Sequence, residues 1–377
     1  MNDLEDDVIS LLSELVRIPS VCGQEYHIAS FIHDWLRRND LPAELALVKQ
    51  NRPNVIATLK ASKPGPRIML NGHMDTVEPG NGWVHDPFRA EIENGRMYGR
   101  GTVDMKSGLA CILWVAAICK REGLPKRGEL TITAVVDEEA IDLGICALIR
   151  SGLASRLDFA MVAEATDLQI VTGHRGRVVF EVEVHGRAAH SHWPQRGVNA
   201  IDMAGVLVNA LHKLPSPTHP RLGGCTLNTL KIEGGQEEVM LVPDRCRLVI
   251  DRCIVPGYGS QQALTDLTKL IHDLGIDAKA RLVDRETPFC EPFQLSDNDP
   301  HVRLVSNAVS RVLGREPEIS FHEGPCDSCI LASEGKIPTI EFGPTGRGLH
   351  EAEEYVEIES VRKATEVYLE ILKKAFE

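Results

Sequence analysis

Two histidines and a set of acids fall in five short stretches of the sequence: LNGHMDT with His73 and Asp75, GRGTVDMKSG with Asp104, VVDEEA with Asp137, Glu138 and Glu139, VAEATD with Glu164 and Asp167, and GRGLHEAEE with His350. Four of the five close a strand-like run or sit just beyond one. Neutral imidazole and carboxylate are hard-to-borderline donors that suit zinc, cobalt or manganese. None of these stretches contains a cysteine, which argues against an iron–sulfur cluster or a thiolate site there. Each stretch also has an ordinary reading. His73 could be a hydrogen-bonded histidine at a strand end, and Asp104 a turn or N-cap residue. Glu138 and Glu139 could decorate a helix start, Glu164 could cap a turn, and His350 could be a loop residue. The coincidence of the five, four of them at strand ends, favours a shared site, because in open α/β sheets ligands bind beyond the carboxyl ends of the strands.

The elements that must position these residues can be read from hydrophobic period. Leu4, Val8, Leu11, Leu12 and Leu15 share one helical face, and Ile18-Pro19-Ser20 ends that helix. Strand-like runs follow at 54–59, 67–70, 129–136 and 159–163, with an apolar helix expected at 109–120. This alternation predicts an α/β layer rich in parallel sheet. The pattern then changes. Val178, Phe180, Val182 and Val184 alternate with polar neighbours, and the order strand 178–185, helix 198–214, strands 226–233 and 245–255, helix 261–274 and strand 278–284 is the split βαβ, ferredoxin-like plan. After Thr287 a helix at 301–313, a strand at 339–342 and a helix at 360–375 return to the first style. The expected fold class is therefore an α/β mixed-sheet catalytic domain, residues 1–173 and 287–377, interrupted by an inserted ferredoxin-like α+β domain, residues 174–286.

Composition sets the outer limits. The chain has 377 residues, 43% hydrophobic and 25% charged, with 41 basic against 54 acidic residues and a formal net charge of −13. That balance argues against a nucleic-acid backbone as partner. The apolar runs are shorter than the roughly 20 residues that span a bilayer, and the acidic start MNDLEDDVIS lacks the basic flank of a signal peptide. Ten scattered cysteines do not form a disulfide framework. A reduced, cytoplasmic protein without membrane or nucleic-acid partners is expected.

The order GHMDTV, GRGTVDMKSG, DEE, AEATD and GPTGRGLHEAEEYV resembles the dinuclear zinc amidohydrolase and peptidase family that includes acetylornithine deacetylase, succinyl-diaminopimelate desuccinylase, aminoacylase and glutamate carboxypeptidase. The likeness covers nearly the whole chain, and the inserted domain, entered at VHGRAAHSHWPQRGVNAI, looks like that family's lid and dimerisation domain. The resemblance implies two divalent metal ions, zinc with cobalt or manganese as alternatives. His73, Asp104 and Glu164 would hold one, and Asp104, Glu139 and His350 the other, with Asp104 bridging. It implies Glu138 as general base, Asp75 behind His73 fixing its tautomer, a cis peptide after Asp104, and His190 reaching a substrate carbonyl across a homodimer. Such a donor to an oxyanion contributes about 3 kcal/mol in comparable sites.

Mechanistically, two metals lower the pKa of a bridging water and polarise the amide carbonyl, while a base outside the ligand set moves the proton to the leaving amine. Glu138 fits that role if Glu139 points the opposite way, as successive side chains do in extended backbone. The expected reaction is hydrolysis of a small N-acyl amino acid or N-acyl amine. A metallo-exopeptidase acting on short peptides is the alternative, and a non-catalytic binding protein the remote one.

Two positions depart from the family pattern. Met240 stands where relatives often carry Asn, and Cys253 where a D-x-R arginine is common. Both family residues bind the substrate's carboxylate end, so that clamp is missing or rebuilt. Arg252 should face the other side of its strand. Arg347, near His350, is the candidate replacement anchor or else a solvated loop arginine, and Asp327 occupies a family position near the site. Cys326 and Cys329 have C-x-x-C spacing but no second pair at zinc-ribbon distance. His192 and Trp193 are expected on the lid surface or shaping the cleft.

Overall fold

Short β-branched runs flanked by apolar helices leave little choice but a sheet covered by helices, and the computed structural model, which describes residues 2–237 and 239–377, has this form. The chain divides into two units, one of residues 1–173, 295–321 and 326–377 and the other of residues 174–294 and 322–325. The second unit thus runs to Gln294 rather than stopping at 286, and a short return segment at 322–325 joins it.

In the first unit the sheet runs in the order Ala43–Lys49, Arg52–Lys60, Glu129–Val135, Arg67–His73, Phe159–Val162, Thr339–Glu341 and Ile170–His174. The outer pairs are antiparallel and the centre is parallel, with Leu70 opposite both Ile132 and Met161. The central strands are buried along almost their whole length, as parallel strands covered on both faces must be. Helix Ser107–Arg121 is buried from Ser107 to Cys119. With the π-turn before it, Thr102–Arg121 is long and apolar enough to cross a membrane, but 94% of its most apolar window lies inside the protein; it is a core helix. Val8, Leu11, Leu12 and Leu15 of helix Asn2–Val16 pack in the same core, while the side chain of Leu4 lies outside the described residues. Helix Tyr26–Arg38 and strand Ala43–Lys49, absent from the sequence reading, also belong here. The Trp35 ring from that helix packs 5.9 Å from Trp114.

One close approach fixes where the core helix begins. A Cβ at Gly108 would stand 1.7 Å from the Ala163 carbonyl oxygen, so only glycine lets the helix start touch the end of the Phe159–Val162 strand. That contact brings Asp104 beside Glu164. The segment before the helix is irregular: Gly101 has φ +82°, Asp104 and Met105 leave helical φ/ψ, and the Asp104–Met105 peptide is cis.

The second unit has four strands in the order Leu227–Gly234, Arg245–Ile254, Gly176–His185 and Ala278–Leu282, all antiparallel. Alternation turns Val178, Phe180, Val182, Val184, Leu248 and Ile250 inward with Ala204, Leu207, Ala263 and Leu267 of the two helices, and leaves charged residues such as Glu183 and Arg245 on the other face. The helix expected over 198–214 is Ala200–Ala210 followed by a 3-10 turn, and Asn199 caps it by accepting from the Ile201 N–H at 3.0 Å. Arg252 points to the inner face at 2% exposure, donating to the Pro215 carbonyl with its guanidinium 5.2 Å from the Tyr258 ring.

A small sheet of Glu91–Glu93, Arg96–Tyr98, Tyr355–Glu357 and Gly346–Arg347 carries Glu354 into the first unit's interior. Its carboxylate pairs with buried Arg100 at 2.5 Å and accepts the backbone N–H groups of Gly101, Val103 and Asp104 at 2.9, 2.8 and 3.2 Å. Removing one partner of a buried pair strands the other charge, at about 3–5 kcal/mol. Glu354→Ala should lower unfolding stability in urea by about that amount, and Glu354→Gln, which keeps an acceptor for the N–H groups, by less. An alanine variant within about 1 kcal/mol of the parent would show that the pair does not hold this loop.

Candidate metal centre

His73 ends its strand with a ring whose Nδ1 lies 2.9 Å from the Asp75 carbonyl oxygen. A carbonyl only accepts, so Nδ1 carries a proton and Nε2 is the nitrogen that faces the site. That nitrogen faces Asp104 Oδ1 at 3.0 Å, Glu164 Oε1 at 3.5 Å and Glu138 Oε2 at 3.8 Å. The other Asp104 oxygen, Oδ2, lies 3.2 Å from His350 Nε2, and that nitrogen is 3.0 Å from Glu139 Oε2. Asp104 therefore stands between two imidazoles, one oxygen toward each. The donor atoms of His73, Asp104 and Glu164 lie within 4.8 Å of one another, and so do those of Asp104, Glu139 and His350.

The electrostatics of this cluster are severe. Burial opposes charge on His73, but the bond to Asp104 and the nearby Glu138 and Glu164 carboxylates outweigh it and hold the ring well above the usual histidine range. Asp104 is held far below the carboxylate range: burial works against its charge, and the two histidines overcome it. Glu138 is pushed up by burial and by the carboxylates of Glu164, Asp327 and Asp104. Glu139 rises to about 7, mainly through burial and then through Asp104. Among the described residues, no lysine or arginine pairs with Asp104, Glu138 or Glu139. Converging buried anions need compensating positive charge, and a donor set of two imidazole nitrogens and several carboxylate oxygens with one shared aspartate fits two divalent ions.

The reasons for the arrangement differ in places from those the sequence suggested. Asp75 fixes the His73 tautomer with its main-chain carbonyl. Its carboxylate, 3.8 Å from Nδ1, instead accepts the backbone N–H groups of Glu138 and Glu139 at 3.2 and 3.0 Å. Glu138 and Glu139 do diverge, toward His73 and His350 respectively, but not because the backbone is extended. The strand stops at Val135, Asp137 turns with φ +70°, and the two glutamates sit in the turn that follows.

Asp327 is fully buried and takes a hydrogen bond from Asn71 Nδ2 at 2.8 Å; its carboxyl is raised to about 7, first by burial and then by Asp142. Arg347 donates to Asp167 Oδ1 at 2.8 Å and to the Gly346 carbonyl at 2.5 Å, so its guanidinium is already paired within the chain. His190 belongs to the second unit, with its ring 5.0 Å from that of His192 and 5.1 Å from Trp193 and its Nδ1 accepting from the His192 N–H. Met240 is exposed and Cys253 partly buried, both in that unit. Cys326 and Cys329 are both buried and in no disulfide.

Sequence reasoning missed the supporting residues. Asn71 accepts from Thr133 Oγ1 at 2.6 Å and passes its amide to Asp327; the signal was a lone amide in the apolar run IMLNG. Glu354 was one of several acids in HEAEE, with nothing in its spacing to single it out.

Comparisons with known proteins identify the family and the fold. The model of a family described as Peptidase family M20/M25/M40 matches residues 69–374. The chain is 28% identical over 382 residues to succinyl-diaminopimelate desuccinylase of Methylorubrum populi, covering 98% of each protein, and 29% identical over 390 residues to succinyl-diaminopimelate desuccinylase 1 of a Ruegeria species, covering 98% of this chain and 99% of that one. Its fold matches a solved aminopeptidase from Bacillus cereus with TM-score 0.81 at 22% identity over 99% of both chains. It also matches a dinuclear metal binding peptidase from Bacillus subtilis with TM-score 0.75 at 16% identity, over 100% of this chain and 99% of the other. The chain belongs to the M20/M25/M40 peptidase family, and it is a metal-dependent amidohydrolase.

Proposed function

We propose that the protein is a deacylase that hydrolyses the amide bond of a small N-acyl amino acid, with Glu138 as the proton-transferring base. The observation that carries this reading is the position of Glu138. It lies in the carboxylate cluster with its side chain 11% exposed, 3.8 Å from His73 Nε2, yet belongs to neither set of three close donor atoms. His73, Asp104 and Glu164 would hold one ion and Asp104, Glu139 and His350 the other, with zinc suited to this nitrogen and oxygen set and cobalt or manganese as substitutes. Bound ions would activate water and polarise the scissile carbonyl. The protein's own part is to hold the ligands and to keep one carboxylate out of coordination. Glu138 takes the proton released by the attacking water and returns it to the departing amine. Asp75 fixes where Glu138 and Glu139 begin, through their backbone N–H groups. The desuccinylase relatives favour an N-acyl amino acid over a peptide.

The direct test of the acyl class is turnover of N-acetyl amino acids, N-succinyl amino acids and dipeptides by the zinc-, cobalt- or manganese-supplemented protein. N-acyl substrates should be cleaved with the higher kcat/KM, and faster cleavage of dipeptides would replace the deacylase reading with the exopeptidase one. Glu138→Ala should lose at least about 100-fold in kcat while still binding two metal ions per chain. Retained activity, or loss of both metals, would remove Glu138 as the base.

The protein is also proposed to be a cytoplasmic homodimer. None of its ten cysteines is in a disulfide, as a reducing compartment permits. The end strand Leu227–Gly234 of the second unit's sheet exposes Leu230 and Ile232, each at 52%, with Val206 exposed at 45% on helix Ala200–Ala210. An apolar edge of this kind is a natural pairing surface. Light scattering should give twice the chain mass, and Leu230→Lys/Ile232→Lys should give the monomer. A fully active monomeric parent would exclude a role for His190 across subunits.

A further inference from the structure

A second charged cluster, outside the proposed ligand set, adjoins the turn that carries Glu138 and Glu139. Arg52, at the start of strand Arg52–Lys60, donates through Nε to Glu25 Oε2 at 2.8 Å, through Nη2 to the other Glu25 oxygen, and through Nη2 to Asp137 Oδ1 at 2.6 Å. All three groups are largely buried: side-chain exposure is 14% for Arg52, 0% for Glu25 and 4% for Asp137. Cys22, Glu25 and Asp137 have the donor spacing of a cation site, but the guanidinium already supplies the cation. Among the described residues it is the only basic side chain paired with Asp137.

Asp137 is where the strand becomes the turn. Its φ of +70° is uncommon for a residue with a side chain. Its carboxylate is saturated in a way that fixes that conformation: Oδ1 takes Arg52 and the Cys22 thiol at 3.5 Å, and Oδ2 takes the Ile141 N–H at 3.3 Å. Two residues along the Arg52 strand, and so on the same face, Asn54 accepts the Val136 N–H at 3.1 Å and donates to the Gly144 carbonyl at 2.8 Å. The turn is thus gripped at its two ends by one strand, and at Glu138 and Glu139 by Asp75. An arginine suits this place because its planar fork can bond two carboxylates at once, which a lysine's point charge does not reproduce.

We propose that Arg52 is a positioning residue for amide hydrolysis: acting through Asp137, it sets the place from which Glu138 and Glu139 reach the site. The proposal rests on the reading of Glu138 as base and Glu139 as ligand. The competing role is local, with Arg52 only neutralising buried Glu25. The double substitution Arg52→Met/Glu25→Gln separates them, because it removes both buried charges of that pair and leaves Asp137 without its anchor.

In the purified full chain, this variant should still fold but unfold below the parent temperature, because buried Asp137 keeps its charge without the guanidinium. Its kcat on the best substrate of the panel above should fall at least about 10-fold with KM little changed, and zinc titration of the metal-free protein should show one of two sites weakened by about 10-fold, as supporting residues of metal sites typically do. Arg52→Lys should recover stability and only part of kcat. Return of both kcat and zinc affinity to parent values in the double variant would overturn the proposal. The zinc arm reads Glu139 and needs no substrate, so it decides on Arg52 even where an active Glu138→Ala variant has removed the base assignment.

Discussion

The constraint on which this structure depends is the convergence of carboxylates in a site with two imidazoles. Asp104, Glu138, Glu139 and Glu164 gather around His73 and His350, and buried like charges repel strongly. No single element could force them together, so the fold brings them from separate directions. His73 arrives on a central parallel strand, Glu164 follows the neighbouring strand, and Asp104 precedes the core helix. Gly108 permits the contact that joins those last two. Glu139 and His350 come from a turn and a loop, held by Asp75 in one case and located beside the small sheet in the other.

The run Asp137-Glu138-Glu139 shows how adjacency is made tolerable. Each acid has a different destination. Asp137 goes to Arg52 and the turn's own backbone, Glu138 approaches His73, and Glu139 approaches His350. A straight strand would also have separated Glu138 from Glu139, but would have sent Asp137 and Glu139 to the same face. The left-handed Asp137 breaks that alternation, so the third acid can leave the cluster and meet a cation of its own.

Much of this was legible in the sequence because the signals are local. Central strands read as β-branched runs, the second unit as alternation, and the site residues as polar groups at strand ends. The terminations were less legible. Whether Glu138 and Glu139 sit on a strand or in a turn depends on Arg52, Asn54 and Asp75, which lie far away in sequence. Strand Ala43–Lys49 was missed because AELALVK is as good a helical segment as a strand, and only pairing with Arg52–Lys60 decides it. The small sheet was missed because three- and two-residue strands carry no period. The tautomer of His73 illustrates the same limit: the pattern H-x-D suggests a carboxylate behind the ring, while the carbonyl of the same residue does the work.

The buried acids of the first unit separate by the company they keep. Asp75, Asp137 and Glu354 are saturated by donors from their own chain, through backbone N–H groups and, for the last two, a guanidinium. Such carboxylates are already committed to donors of their own chain. Among the described residues, Asp104, Glu138 and Glu139 pair with no guanidinium or ammonium, and Asp104 and Glu139 face an imidazole nitrogen. The saturated acids immobilise the backbone from which the open ones project: Glu354 binds the N–H of Asp104 itself, and Asp75 binds those of Glu138 and Glu139. The positions of the open carboxylates are thereby set in part by hydrogen bonds made by the backbone that carries them. This leaves the lone pairs of the open carboxylates directed at positive charge, on a backbone held by the protein's own hydrogen bonds.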